Sequence, residues 1–505
     1  MAGRLWGLRN REGALALVIA TAAALRVAVF AAGFPFFSNV DEHRHIDAVL
    51  KYSRGYLPEP GGFAYEPQMP TLLGMYGSPE YHMRDTDGQK AGPPPWRGSL
   101  DNTLEMIGFN ERFLAGRPNL EASSPPVYYA LAGAWMASAR TSGLTGGQLL
   151  YWVRGLNAAL YFALVLASFA FCRAVYPNDS FVCLGVPVLL AVFPQDAFYY
   201  ITPDALSPIL GAAGLFAIVG VVASAGERRV GSWLWAVAGL ICALAFLTKY
   251  TNAVLLAVFA VGTAVALIRG AGSSERAKLA WMWCWVAFPI AIWLGRNEIL
   301  FGDWLATGVK LERLGWGTNP VSAYFQHPIL TPSGLWIFVT ELIPTFWRGE
   351  LAWHRSPMLS ACADAYYIAS SIGYLSLAAW GFASRARAGK DDTTATLADG
   401  LSLAMLGLSI AVLAVLSMRF VFGEATNPTA DNPYLSQGRL VSCALLAFVL
   451  LYVRGIGFAS SMLPVRLRVP TAWALLACTL AVVVVSELQL SGSVFASEYN
   501  WFHFP

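Results

Sequence analysis

The sequence predicts an all-α integral membrane protein, and three observations carry that prediction. Hydrophobic residues fill 56% of the 505 positions and charged residues only 13%, where a soluble domain carries roughly 25% charged residues. Apolar runs about as long as a bilayer is thick recur along the chain. Lys and Arg cluster in alternate connections between those runs, as in a chain threaded back and forth with its basic loops in the cytoplasm. Mean hydropathy is +0.51. The net charge of +3 is too small to indicate nucleic acid as a partner.

The first run, about residues 13–32, has no convincing cleavage site and reads as a retained span, not a signal peptide. Ten further runs lie near residues 148–172, 180–194, 203–225, 232–248, 251–268, 279–297, 362–383, 400–418, 440–456 and 471–489, giving about eleven transmembrane helices. Basic clusters mark one side of them: Arg4, Arg9 and Arg11; Arg228 and Arg229; Arg269, Arg276 and Lys278; Arg385, Arg387 and Lys390; Arg466 and Arg468. With the N-terminus inside, every cluster is cytoplasmic.

Three segments then face outward, near residues 33–147, 297–361 and 419–438. The first holds Pro- and Gly-rich pieces such as Pro58-Glu59-Pro60-Gly61-Gly62, then a modest apolar run after Ser124-Pro125-Pro126. A twelfth span there would invert every later loop, so the run reads as a juxtamembrane helix at the interface. The second segment is rich in Trp and short amphipathic pieces, and the third is short and polar. Residues 1–505 thus read as one polytopic membrane unit that stops about fifteen residues after its last span, without an internal repeat. The seven cysteines fall in or beside apolar runs with no CxxC pairing, which suits small core residues.

Directly after the first span comes Asn39-Val40-Asp41-Glu42-His43-Arg44-His45-Ile46-Asp47. Read as a helix start capped by Asn39, it puts Asp41 and His45 on one face at i and i+4, with Glu42 beside them. Carboxylates here suit a general base, a metal ligand or the partner of a cation, and they equally suit a solvated first turn. A divalent ion on Asp41, Glu42 and His45 stays open. His43 and His45 do not share a helical face, which argues against a zinc pair. Asp85-Thr86-Asp87-Gly88 opens like a calcium loop but lacks the closing Glu, so it reads as a polar turn.

The same topology gathers other polar residues on the outer side: Gln195, Asp196 and Asp204, Lys249 with Tyr250, Arg296, Arg348, and Gln437 with Arg439. Charges beside hydrocarbon are costly and usually pair or line a pathway; singly, each also suits an interfacial anchor. Together, acids facing cations fit chemistry on a lipid-linked phosphate. Arg and Lys neutralise the phosphate, and a carboxylate accepts the proton of an incoming hydroxyl. Glycosyl transfer from a polyprenyl phosphate needs both functions. A transporter or flippase of a lipid-linked intermediate needs only the cations, and a polysaccharide polymerase or ligase is a further alternative. Neither repeated halves nor matched broken helices favour the transporter.

Several elements resemble the GT-C superfamily of membrane glycosyltransferases, in the same order along residues 13 to 440. The acidic pair Asp41-Glu42 follows the first span. Ser124-Pro125-Pro126-Val127-Tyr128-Tyr129 looks like the family's His-Pro-Pro-Leu-Tyr-Tyr element, with Ser in place of His. Thr202-Pro203-Asp204, Leu247-Thr248-Lys249-Tyr250, Arg296-Asn297 with Phe301-Gly302-Asp303, and Gln437-Gly438-Arg439 resemble further elements of a bacterial branch. Relatives include protein O-mannosyltransferases and aminoarabinose transferases. The resemblance implies a bacterial cytoplasmic-membrane enzyme with an outward-facing site and a polyprenyl-phosphate sugar donor. It also implies a glycan, lipid or protein acceptor in the cell envelope, inversion at the anomeric carbon, and Asp41 as the catalytic acidic residue. The family divides over metal dependence, and the missing His leaves a metal or donor contact at position 124 open.

Overall fold

The computed structural model describes residues 2–37, 41–78, 81, 93–224, 231–353, 356–388, 393–423 and 428–503. A long first helix, α1 (Ala2–Gly33), leads into α2 (Glu42–Tyr52), α3 (Met69–Tyr76), α4 (Leu100–Leu114) and α5 (Pro126–Thr141). Next come α6 (Gly146–Val175), α7 (Ser180–Ala191), α8 (Ser207–Ala223), α9 (Ser232–Phe246), α10 (Val254–Ile268) and α11 (Ser273–Phe301). The shorter α12 (Gly308–Leu314) and α13 (Pro332–Arg348) precede α14 (Ala361–Ala388), α15 (Thr393–Arg419), α16 (Leu445–Ser461) and α17 (Val465–Phe495). The only strands among the described residues are two-residue pieces. β1 (Gly317–Thr318) pairs antiparallel with β4 (Phe420–Val421), and β2 (Ala352–Trp353) with β3 (Ser356–Pro357).

This is a mostly helical integral membrane protein. Among the described residues, eight helices are long and apolar enough to cross a membrane: α1, α6, α8, α10, α11, α15, α16 and α17. The eleven intervals expected from the sequence all fall on helices. Of the other three, α7 and α9 are apolar but shorter. α14 has the length, but Asp364, Tyr366, Tyr367, Ser370 and Ser371 interrupt its apolar character. The run after Ser124 forms α5, whose 16 residues pack against α2 and α6.

α16 is the hub. Leu445-Leu446-Ala447-Phe448-Val449-Leu450-Leu451 is apolar all round, as a helix enclosed on every side requires. Of its apolar stretch 83% is buried, against α7, α8, α14, α15 and α17. Close packing, not expulsion of water, holds such helices together in lipid. At the same end of the bundle as the polar turns, Trp347 stacks between Phe193 and Tyr367, at 4.8 and 4.9 Å between ring centres, and donates to Ser371 Oγ at 2.9 Å. A second core joins the short helices to α6 through Phe36, Ile46, Leu50, Leu73, Met136 and Leu150. Inside the bundle, Arg26 of α1 pairs with Glu487 of α17, and the Tyr199 hydroxyl joins them; a charge at that depth needs such a partner.

Three spanning segments share one irregularity. Each opens with a 3₁₀ turn: Pro203–Ala205 before α8, Tyr250–Ala253 before α10, and Gly438–Ala444 before α16. The last of these touches both others.

Asn39, expected to cap α2, lies outside the described residues, as do Asp85-Thr86-Asp87-Gly88, Arg228, Arg229 and Lys390. The N-cap of α2 is Asp41, and its backbone is left-handed at φ 64°. Asp41 therefore precedes the helix, and its carbonyl accepts from the N–H groups of Arg44 (2.8 Å) and His45 (3.1 Å).

Candidate active site

Glu42 and Arg154 anchor the region. Both side chains are fully buried. Arg154 Nε and one terminal nitrogen bind the two Glu42 oxygens at 2.9 and 2.8 Å. Its other N–H groups go to the carbonyls of Ala31 (2.8 Å), Phe34 (2.5 Å) and Pro35 (3.0 Å), which uses all five donors of the guanidinium. Glu42 also accepts from the backbone N–H of Phe37 at 2.9 Å and of Ile201 at 3.0 Å. One buried pair thus ties the end of α1, the start of α2 and the strip leading to Asp204. Glu42, expected beside Asp41 as an orienting or metal-binding neighbour, is instead turned inward with both oxygens occupied.

Asp41 faces the other way. It pairs with Arg44 at 2.7 Å and its side chain keeps 30% exposure. Burial pushes its carboxyl up, but the Arg44 guanidinium together with His43 and Lys310 outweighs this, and the group sits below the usual carboxylate range. Glu121 and Lys310, two residues not singled out in the sequence, share its surroundings. They arrive by a chain of local contacts. Asp47 pairs with Lys51 at 2.7 Å and accepts from Asn119 Nδ2 at 2.6 Å, while the same Asn119 amide reaches the Arg44 carbonyl at 2.9 Å. Asn119 Oδ1 then receives the Glu121 N–H at 2.9 Å. Across the recess, Asp303 accepts from the N–H groups of Leu305, Thr307 and Gly308. That fixes the start of α12, which carries Lys310 to Glu121 at 2.5 Å. Burial would raise the Glu121 carboxyl, but Lys310 and His45 bring it well below the ordinary range.

His45 lies with its Nδ1 2.8 Å from the Tyr129 hydroxyl oxygen. Burial lowers its pKa, against the pull of Glu121, Asp41 and Asp204. The Ser124-Pro125-Pro126 element docks on the Thr-Lys-Tyr element, since the Val127 N–H donates to the Leu247 carbonyl at 3.0 Å. Lys249 then pairs with Asp204, whose other oxygen accepts from the Thr202 hydroxyl at 3.1 Å. Asn252 locks these two turns by donating to Ser207 Oγ (3.0 Å) and the Ala245 carbonyl (2.9 Å).

The third turn brings Arg439. Gly438 lies so close to α13 that a Cβ there would stand 2.0 Å from the Phe346 nitrogen, and its N–H donates to Thr345 Oγ1 at 3.0 Å. Gln195 clamps the same stretch through the carbonyls of Thr345 (3.0 Å) and Phe346 (2.8 Å). Gly349, at φ 81°, leaves room for Asp196, which a Cβ would meet at 2.0 Å. Asp196 Oδ2 receives the Glu350 N–H at 3.0 Å. Glu350 thereby lies 3.3 Å from Arg439 Nε, yet that Nε donates to nothing among the described residues. Burial raises the Glu350 carboxyl, against the pull of Arg439 and Lys249. The field at Arg439 comes from Glu350, Asp204, Asp41 and Asp196.

Asp41, His45, Asp204, Lys249 and Arg439 therefore meet in one charged recess, joined by Glu121, Lys310 and Glu350. Gln437 stands at the N-cap position of the Gly438–Ala444 turn beside it, makes no side-chain hydrogen bond to that turn's N–H groups, and is buried. The other expected members have different partners. Arg296 donates to the Pro58 carbonyl and lies over the Trp293 ring at 5.2 Å. Tyr250 receives the Trp293 indole N–H at 3.2 Å. Arg348 grips Asp364 with two hydrogen bonds of 2.8 and 3.0 Å. Among the described residues no three His, Cys, Asp or Glu side chains gather as metal ligands. With Glu42 turned inward, Asp41, Glu42 and His45 do not fit a shared ion.

No protein-family model matches the sequence, and no curated protein does. The chain is similar to a solved oligosaccharyltransferase. That structure is archaeal AglB from Archaeoglobus fulgidus, in complex with an inhibitory peptide and a dolichol-phosphate, with a TM-score of 0.47 and 11% identity over 96% of this chain. The match spans 56% of the AglB chain.

Proposed function

We propose that the protein is a GT-C-type glycosyltransferase that moves a sugar from a polyprenyl-phosphate donor to a cell-envelope acceptor at the outer membrane face. The observation that carries this reading is the recess in which a half-buried carboxylate, Asp41, shares surroundings with Lys249 and Arg439 at the start of α10 and α16. Lys249 commits one ammonium N–H to Asp204 and has two more for a phosphate. The opening ends of α8, α10 and α16 add the positive ends of three helix dipoles.

In the proposed reaction Asp41 takes the proton of the acceptor hydroxyl as its oxygen attacks the anomeric carbon. The new C–O bond forms as the sugar–phosphate C–O bond breaks, and that electron pair leaves with the phosphate. Lys249 and Arg439 stabilise the growing charge. Asp204 holds Lys249 in place and offers its second oxygen to a sugar hydroxyl. Attack opposite the leaving phosphate inverts the anomeric carbon. The outward orientation rests on the alternation of basic clusters along the sequence.

The test is transfer of radiolabelled sugar from polyprenyl-phosphate donors in proteoliposomes, with lipid movement measured on the same preparation. Transfer by the wild type supports the proposal. Lipid movement without transfer from any donor, unchanged in Asp41→Asn, assigns the protein to transport instead.

A further inference from the structure

We infer that the end of the bundle opposite this recess binds the phosphate of an anionic phospholipid headgroup. Arg439, in the 3₁₀ turn that opens the segment, and Arg454, in α16, are separated by roughly 25 Å along it. At the far end a cleft of about 280 Å³ opens between α7, α14, α16 and α17, with Arg385, Arg454 and Arg468 in its walls.

Two of these arginines are held from behind. Asp399 of α15, 1% exposed, accepts from Arg385 at 2.5 Å, Arg454 at 3.0 Å and the Tyr176 hydroxyl at 2.6 Å. Asp179 lies 3.7 Å from Arg454. Among the described residues Arg468 pairs with no carboxylate, and it donates its Nε to the Leu463 carbonyl at 3.0 Å. Among the described residues lining or backing the cleft, three guanidinium groups thus face two carboxylates. Guanidinium groups fixed in this way bind phosphate oxygens through paired N–H groups.

The surroundings favour a lipid over a soluble anion. Phe181, Val469 and Ala472 form the apolar side of the cleft, and Val465 and Val469 on the outside of α17 are 75% and 63% exposed. An acyl chain following that face keeps its phosphate level with the arginines, beside Arg466 in the first turn of α17. Basic pockets between helices at this depth suit anionic headgroups.

Delipidated protein in neutral detergent, titrated with phosphatidylglycerol, phosphatidylcholine or inorganic phosphate and followed by native mass spectrometry and thermal unfolding, tests the assignment. Wild type should retain phosphatidylglycerol saturably and unfold at a higher temperature with it than with phosphatidylcholine. Arg468→Ala stands outside the Asp399 clamp and should fold normally. It should bind phosphatidylglycerol about tenfold more weakly, the loss of one charge-assisted hydrogen bond, while Arg466→Ala should not. Equal retention of both lipids, or unchanged affinity in Arg468→Ala, overturns the site. Equal protection by inorganic phosphate at the same concentration assigns it to a soluble anion and overturns the lipid.

Discussion

Glu42 and Arg154, 112 positions apart in the chain, form a bidentate pair from which solvent is excluded. Removing one partner of such a pair leaves an uncompensated buried charge, which costs about 3–5 kcal/mol. Glu42→Gln and Arg154→Met should each lower the unfolding temperature in detergent sharply. The double variant should lose less than the sum of the two. A Glu42→Gln protein that melts like wild type but transfers no sugar would return Glu42 to the chemistry.

Asp41→Asn should yield a folded protein that binds donor and does not react. A positioned general base contributes about 10²–10⁴-fold to rate and acts on the transition state more than on binding. Single-turnover transfer and donor binding, measured on the same preparation, separate the two. A variant that keeps more than a tenth of the wild-type rate removes Asp41 as the base.

The pH profile tests the role of Arg44. Arg44 holds the Asp41 carboxyl below its usual range against partial burial, so the base stays ionised into mild acid and activity falls only below that range. Arg44→Gln removes the depressing charge and leaves the burial. The folded pKa of Asp41 then rises, and the acidic limb of the transfer rate should move to higher pH. A limb that stays in place dissociates the rate from Asp41.

Lys249→Met and Arg439→Gln should each weaken polyprenyl-phosphate binding by roughly tenfold, from a charge-assisted bond of about 1.5–3 kcal/mol. Arg348→Gln, which removes the grip on Asp364, should act on stability more than on donor affinity. If both recess variants bind donor normally, the cations serve the fold alone.

Reporter fusions near Gly231 and Asn319 check the orientation. The first should report the cytoplasm and the second the outside. The reverse pattern would turn the recess toward the cytoplasm, away from a donor presented on the outer face.

The spanning helices were legible as apolar runs, and five recess residues by their place beside those runs: Asp41 and His45 follow the first, and Asp204, Lys249 and Arg439 each stand at the opening of another. Glu121, Lys310 and Glu350 stayed hidden because they lie in irregular strips with no hydrophobic period to place them. Their positions depend on contacts such as Asn119 to the Arg44 carbonyl, 75 residues away. Adjacency misled at Asp41-Glu42: the chain enters α2 between them, and one points outward while the other points inward. The available signal was Arg154, a lone guanidinium in an apolar run, which calls for a buried acid.

The left-handed backbone at Asp41 limits what can replace it. Only Gly, Asn and Asp occupy that conformation at low cost. Asp41→Asn therefore removes the charge without adding strain, whereas Asp41→Ala would mix the two effects. Asp41→Glu would keep the carboxylate but force a longer side chain into a backbone shape it disfavours. The acid best suited to this corner is thus the shorter one, and the distance from its carboxylate to whatever it deprotonates is set by the loop and not by a flexible side chain.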